Sequence, residues 1–104
     1  MLEAMQIEPK RVNPDDAAQL LAVVADPVRW RLVAELERRG TLCVCELKPV
    51  TGVAANVLSY HLKVLREAGV VTAAKRGRWV DYELADDAGD RLARALPGRL
   101  GDRP

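Results

Sequence analysis

The sequence predicts a mainly α-helical domain with a small β-hairpin, a winged helix-turn-helix, and three observations carry that prediction. Over residues 54–68, Leu58, Leu62 and Leu65 recur at i, i+4 and i+7, one apolar stripe along a helix of about four turns. After Gly69, where a residue with positive φ costs least, the period changes from 3.6 to 2. Val70, Val71 and Thr72 open a β-branched strand, and Trp79, Val80, Asp81, Tyr82, Glu83 and Leu84 read as the strand that returns. The joint between them, Lys75-Arg76-Gly77-Arg78, is basic. A helix followed by a basic-tipped hairpin is the outline of a winged helix.

Composition bounds the rest. A chain of 104 residues, 49% hydrophobic and 30% charged, makes one compact domain and is too short for two. Phenylalanine is absent and aromatics total 4%, so the core has to be built from Leu, Val and Ala. Small helical domains of this kind often complete their cores by dimerising. Net charge is only +1, but across residues 54–79 Lys63, Arg66, Lys75, Arg76 and Arg78 stand against Glu67 alone, a local balance of +4. Positive charge is concentrated on the helix and hairpin, as a nucleic-acid partner requires. No apolar run of about 18 residues spans a membrane, and residues 1–10 lack the apolar centre of a signal peptide, so a cytoplasmic protein is expected. Cys43 and Cys45 are then expected as free thiols, because a bridge closing so small a loop is strained and constrains almost nothing.

Residues 1–12 show no sustained period and read as an N-terminal arm. The domain occupies residues 13–97. Asn13, Pro14, Asp15 and Asp16 supply a cap, a first-turn proline and acids for the helix dipole, and this first helix runs to about Ala25. Its Leu20, Leu21, Val23 and Val24 are apolar on more than one side, which suits burial against two surfaces, one of them a partner subunit. Asp26-Pro27 repeats the start signal for a second helix over residues 28–39, with Leu32, Val33 and Leu36 inward, Trp30 packing at the edge, and Gly40 ending it.

Thr41 to Val50 reads as a short extended lead-in and a short third helix, which Pro49 is expected to shorten or kink. Thr51-Gly52-Val53 turns the chain into the stripe-bearing helix, the signature of a helix-turn-helix. A last amphipathic helix is expected over residues 86–96, with Ala88, Leu92, Ala95 and Leu96 on one side, and residues 98–104 form a frayed tail. The order is helix-helix-helix-helix-strand-strand-helix.

Four segments carry a family resemblance. Asp26-Pro27-Val28-Arg29, the run Leu42-Cys43-Val44-Cys45-Glu46-Leu47, the run from Leu58-Ser59-Tyr60-His61-Leu62 through Glu67-Ala68-Gly69-Val70-Val71, and Gly77-Arg78 before the second strand resemble, in that order and spacing, the ArsR/SmtB transcriptional repressors over residues 15–96. The resemblance implies a homodimer paired through its first and last helices, bound to double-stranded operator DNA and released when an inducer, usually a metal ion, binds. An enzyme using a cysteine nucleophile is poorly supported beside this, since no acid or base is paired by sequence with either thiol.

A dimer of this kind presents two recognition helices to successive major grooves, so a near-palindromic operator is expected. The candidate DNA-binding residues are Asn56, Ser59, Tyr60, His61 and Lys63 on the helix and Lys75, Arg76 and Arg78 on the wing. The polar side chains suit base edges and phosphates, Lys63 suits phosphate, and the arginines suit the backbone or minor groove. In the first recognition turn, where the family often carries Ser, Gln or a basic residue, this chain has Ala54, Ala55 and Val57, which offer methyl contacts in place of hydrogen bonds. His61, the only histidine, lies beside the apolar stripe and suits either a hydrogen-bonded core or the DNA side.

For sensing, Cys43-x-Cys45 is similar to the thiolate site of the family's arsenic and cadmium responders, which implies a metal or metalloid inducer among trivalent arsenic, cadmium, lead, zinc, copper(I) and nickel. Residues i and i+2 of a regular helix point about 200° apart, so two-sulfur chelation is expected to distort the third helix and thereby the recognition helix. The third cysteine of the arsenic pattern is replaced by Lys48, and the arm has none of the N-terminal cysteines of the cadmium pattern. Further ligands would come from Glu3, Glu8, Asp15, Asp16, Glu46, His61, the terminal amine or water. The family's site on the last helix would have Asp86, Asp87 and Asp90 but no histidine. The alternatives are a regulator answering thiol oxidation or persulfidation through the same cysteines, one binding metal through carboxylates and His61 with the cysteines only structural, and a winged helix that binds protein instead of DNA.

Overall fold

Two proline-led helices open the computed structural model, which describes residues 14–97. The arm expected at residues 1–12, the capping Asn13 and the tail at 98–104 lie outside the described residues. Helix α1 spans Pro14–Ala25 and α2 Pro27–Arg39; a short strand β1, Leu42–Cys43, leads into α3, Val44–Thr51. Then come α4 at Ala55–Glu67, the strands β2 at Val71–Arg76 and β3 at Trp79–Leu84, and α5 at Ala88–Ala95.

Local chemistry sets most of these boundaries. Asp26 caps α2 with extended backbone, its carboxylate accepting from the N–H groups of Val28 (2.8 Å) and Arg29 (3.1 Å). Pro27 fills the first helical position, where a missing N–H costs nothing. Gly52, left-handed at φ 69°, closes α3 by donating to the Lys48 carbonyl (3.1 Å). Gly69, at φ 75°, closes α4: its N–H donates to the Arg66 carbonyl (2.9 Å) and that of Val70 to the Leu65 carbonyl (3.0 Å), the paired bonds of a Schellman ending.

The hairpin joins a larger sheet than the sequence suggests. Strands β2 and β3 pair antiparallel from Val71 opposite Leu84 to Arg76 opposite Trp79, around the turn at Gly77. Strand β1 adds to the far side of β3, Leu42 opposite Tyr82 and Cys43 opposite Asp81, giving the order β1-β3-β2. A two-residue strand leaves no periodic trace in sequence.

The core is aliphatic, as the composition requires. Leu32 and Leu36 of α2, Leu47 of α3, Leu58, Leu62 and Leu65 of α4, and Val70 and Val71 at the start of the hairpin are buried together with Val24, Leu42 and Ala88. Helix α4 therefore lies on the main core cluster along the stripe read from its spacing.

Helix α3 is short, eight residues, with Pro49 inside it and Val50 and Thr51 between the proline and the Gly52 cap. Three expectations need correction. Trp30 is 60% exposed, because it stands two residues before Leu32 and so on the opposite side of α2. Helix α5 begins at Ala88, since the chain after β3 is still tied to the hairpin by the Ala85 N–H donating to the Val70 carbonyl (2.9 Å). Leu96 has left the helix with extended backbone at the C-cap and is exposed, whereas Ala88 and Ala95 are buried as expected and Leu92 packs against the core.

Candidate nucleic-acid interface and thiol pair

The two faces of α4 carry different chemistry. Leu58, Leu62 and Leu65 are buried, while Asn56, Ser59, Tyr60 and Lys63 are exposed on the opposite side, with Tyr60 at 59% and Lys63 3.9 Å from Glu67 one turn on. Val57, on the flank of this polar strip, is also exposed. His61 departs from the candidate DNA-binding set. It is buried, 8% exposed, because it follows Leu58 by three residues and precedes Leu65 by four and so falls on the core side. That spacing was the signal available in the sequence.

On the wing, Lys75, Arg76 and Arg78 are all exposed. Arg76 is also held: its Nε and Nη2 donate to the two carboxylate oxygens of Asp81 across the hairpin, at 2.7 and 3.0 Å. Those hydrogen bonds, with the guanidinium charge behind them, keep the Asp81 carboxyl below its usual range and raise Arg76 further. The bidentate pair presents the arginine from a defined place on the hairpin.

Two arginines that fasten α4 were not identified in the sequence. Arg29, in the first turn of α2, donates from Nε to the Val23 carbonyl at the end of α1. The N–H that would ordinarily serve that carbonyl belongs to residue 27, a proline. Arg29 Nη1 lies 3.0 Å from His61 Nδ1 in α4. Asp26 Oδ1 lies 4.0 Å from the same nitrogen, and the Asp26 carboxyl is held low chiefly by the Arg29 N–H, against partial burial, with help from the Val28 N–H and from the Arg29 charge. At the other end of α4, Arg91 of α5 donates to the carbonyls of Gly69 and Ala68, both at 3.0 Å, a cation at a helix C-terminus.

The cysteines are the largest departure. Cys43 and Cys45 are joined in a disulfide, with Cα atoms 5.3 Å apart, in place of the expected free thiols. The geometric objection from helix periodicity does not apply here. Cys43 is the extended N-cap residue of α3 and the last residue of β1, so the pair straddles a strand-helix junction and its sulfurs meet without distorting the helix. Cys43 is buried and Cys45 exposed. Glu46 turns back over the junction, its carboxylate accepting from the Cys43 N–H (2.8 Å) and lying 4.0 Å from Arg39 Nη2.

Reduced, this pair offers two adjacent soft donors beside one carboxylate; oxidised, it offers none. Among the described residues no group of three or more His, Cys, Asp or Glu side chains is arranged to hold a metal ion, so two-sulfur chelation would have to draw its remaining donors from rearranged or outlying groups. Asp86, Asp87 and Asp90 likewise form no such group. No helix among the described residues is long and apolar enough to cross a membrane.

Comparison with known proteins bears on this arrangement. The family model for bacterial regulatory proteins of the arsR family matches residues 26–73. The arsenical resistance operon repressor of Bacillus subtilis is 39% identical over 69 residues, 66% of each chain. The transcriptional repressor SmtB of Mycobacterium tuberculosis is 45% identical over 78 residues, 75% of this chain and 57% of the repressor. The chain thus spans between just over half and two thirds of the length of these relatives. The crystal structure of the transcriptional repressor BigR from Xylella fastidiosa superposes with a TM-score of 0.67 at 31% identity, covering 92% of both chains.

Proposed function

Because the chain belongs to the ArsR/SmtB family of bacterial regulatory proteins, we propose that it is a homodimeric transcriptional repressor that binds operator DNA through α4 and the wing. The observation that carries this reading is the division of α4, with three leucines fixed in the core and Asn56, Ser59, Tyr60 and Lys63 turned to solvent, followed directly by a hairpin bearing Lys75, Arg76 and Arg78. Donors and acceptors on the helix suit base edges, and the wing cations suit phosphate. Exposed Val57 suits a thymine methyl. The homodimer, paired through α1 and α5, is carried from the family resemblance.

The inducer is a thiophilic ion, arsenite, cadmium, lead or zinc before nickel, taken by Cys43 and Cys45 in the dithiol state. The name of the Bacillus relative, an arsenical resistance operon repressor, supports this. A route to the DNA face is present in the chain itself: Cys43 stands opposite Asp81 in the β1-β3 pair, and Asp81 holds Arg76 on the wing. Rearrangement at the cysteines would thus reach a DNA-facing cation through one rung of the sheet. The disulfide favours a second reading, in which oxidation of the same pair is the signal.

The test is release from the DNA upstream of the protein's own gene, by arsenite, cadmium and zinc singly under reducing conditions and by oxidant alone, for wild type and Cys43→Ser/Cys45→Ser. Release of wild type by an ion, with the variant unmoved, is the expected outcome. Equal response of both proteins would make the cysteines structural. Release by oxidant but by no ion would put the redox reading first.

A further inference from the structure

We infer that Arg29 and His61 are positioning residues for DNA recognition, a proton-sensitive strut that fixes α4 against the α1-α2 corner and weakens operator binding when His61 takes up a proton. The inference rests on the operator-binding reading above.

Arg29 Nη1 lies 3.0 Å from His61 Nδ1, and a guanidinium can only donate. The bond therefore requires Nδ1 to carry its lone pair, which makes His61 neutral with its proton on Nε2. The same guanidinium donates from Nε to the Val23 carbonyl, so one planar group joins the last turn of α1, the first turn of α2 and the middle of α4. Arg29 cannot give up its charge, and its planar fork leaves little freedom once both bonds are made. The His61 ring in turn meets the Tyr60 ring edge to face, centroids 5.2 Å apart, and Tyr60 belongs to the exposed strip of α4. A displacement of His61 would thus be felt by a side chain on the DNA side.

Protonation of Nδ1 replaces this acceptor with a donor and sets an imidazolium against the guanidinium. The groups facing the ring decide where it then moves. Arg29 repels it, Tyr60 offers a ring edge, and Asp26 Oδ1, 4.0 Å from Nδ1, is the anion within reach. That oxygen already accepts from the Val28 and Arg29 N–H groups, so the protonated ring has to approach the α2 cap to share it. Moving His61 from Arg29 to Asp26 shifts the helix that carries Asn56, Ser59, Tyr60 and Lys63 relative to the wing.

Operator affinity is measured by fluorescence anisotropy between about pH 8 and 5.5 for wild type, Arg29→Met and His61→Asn, with the imidazole 15N resonances of His61 recorded on DNA-free wild type. The Asn variant keeps an acceptor near the place of Nδ1 and cannot be protonated. Wild type is expected to lose about tenfold or more in affinity between about pH 8 and 5.5, and His61→Asn to show no such loss. Arg29→Met is expected to bind about tenfold more weakly at pH 8 and to lose most of the pH dependence. The resonances should report the Nε2–H tautomer at pH 8. An Nδ1–H tautomer, or three proteins that bind DNA with one common pH profile, would overturn the strut alone. A wild type that binds no DNA at any pH would overturn the operator reading and the strut's effect on affinity with it, leaving only the tautomer to be judged by the resonances.

Discussion

Leu58 and Val57 are neighbours in sequence whose truncation should act on different properties. Leu58 is fully buried under α4, and Val57 is 38% exposed on its flank. Leu58→Ala removes three carbons from a packed site, worth about 0.8 kcal/mol each in transfer, and leaves a cavity that surrounding side chains fill only in part. The expected loss is about 3 kcal/mol, which for a domain of this size is a fall in Tm of roughly 12 to 24 °C. Val57→Ala removes methyls already in contact with water and should leave stability within about 0.5 kcal/mol of wild type. Its effect belongs on DNA, where loss of an apolar contact to a base should weaken operator binding severalfold and relax preference at one position. Circular dichroism melts of the two variants, followed by anisotropy titrations of the folded one, separate the effects. If Val57→Ala lowers the Tm as far as Leu58→Ala, the assignment of inner and outer faces of α4 is wrong.

Other perturbations address the remaining contacts. Arg76→Ala should weaken binding about equally across operator sequences and flatten the salt dependence by about one unit of log-log slope, and an unchanged slope would remove Arg76 from the phosphate contacts. Gly69→Ala places a Cβ 3.0 Å from Arg91 Nη1 on left-handed backbone, so a loss of about 1 kcal/mol or more is expected in urea melts, and a neutral result would mean that the end of α4 relaxes freely. Asp26→Ala should cost about 1 kcal/mol at neutral pH by loss of the α2 cap. Because the Asp26 carboxyl is held below its unfolded value, this contribution is full above the unfolded pKa and disappears as pH falls through the folded one. The stability gap between wild type and Asp26→Ala should therefore close in acid, and a gap that widens would contradict the sign.

Much of the fold could be read from periodicity and punctuation. The spacing of Leu58, Leu62 and Leu65, the switch to β-branched residues after Gly69, the Asp26-Pro27 start and the basic turn at Gly77 are local signals, and the local structure obeys them. The same spacing separated Asn56, Ser59, Tyr60 and Lys63 from the core, and counting from Leu58 would have placed His61 inside. Other features depended on groups distant in sequence. Strand β1 exists because β3 returns beside it, 38 residues after Cys43 in the pair with Asp81. Arg29 meets His61 across 32 residues and Arg91 meets Gly69 across 22, and neither arginine differs in sequence from a solvated helix cation. The cysteines show the division most clearly. Their close spacing alone argued against a bridge, whereas pairing of β1 with β3 holds Cys43 extended at the edge of α3 and brings the two sulfurs together. Hydrophobic period is a property of neighbours along the chain and was determined by the sequence alone; which polar groups meet is decided only when the core has closed.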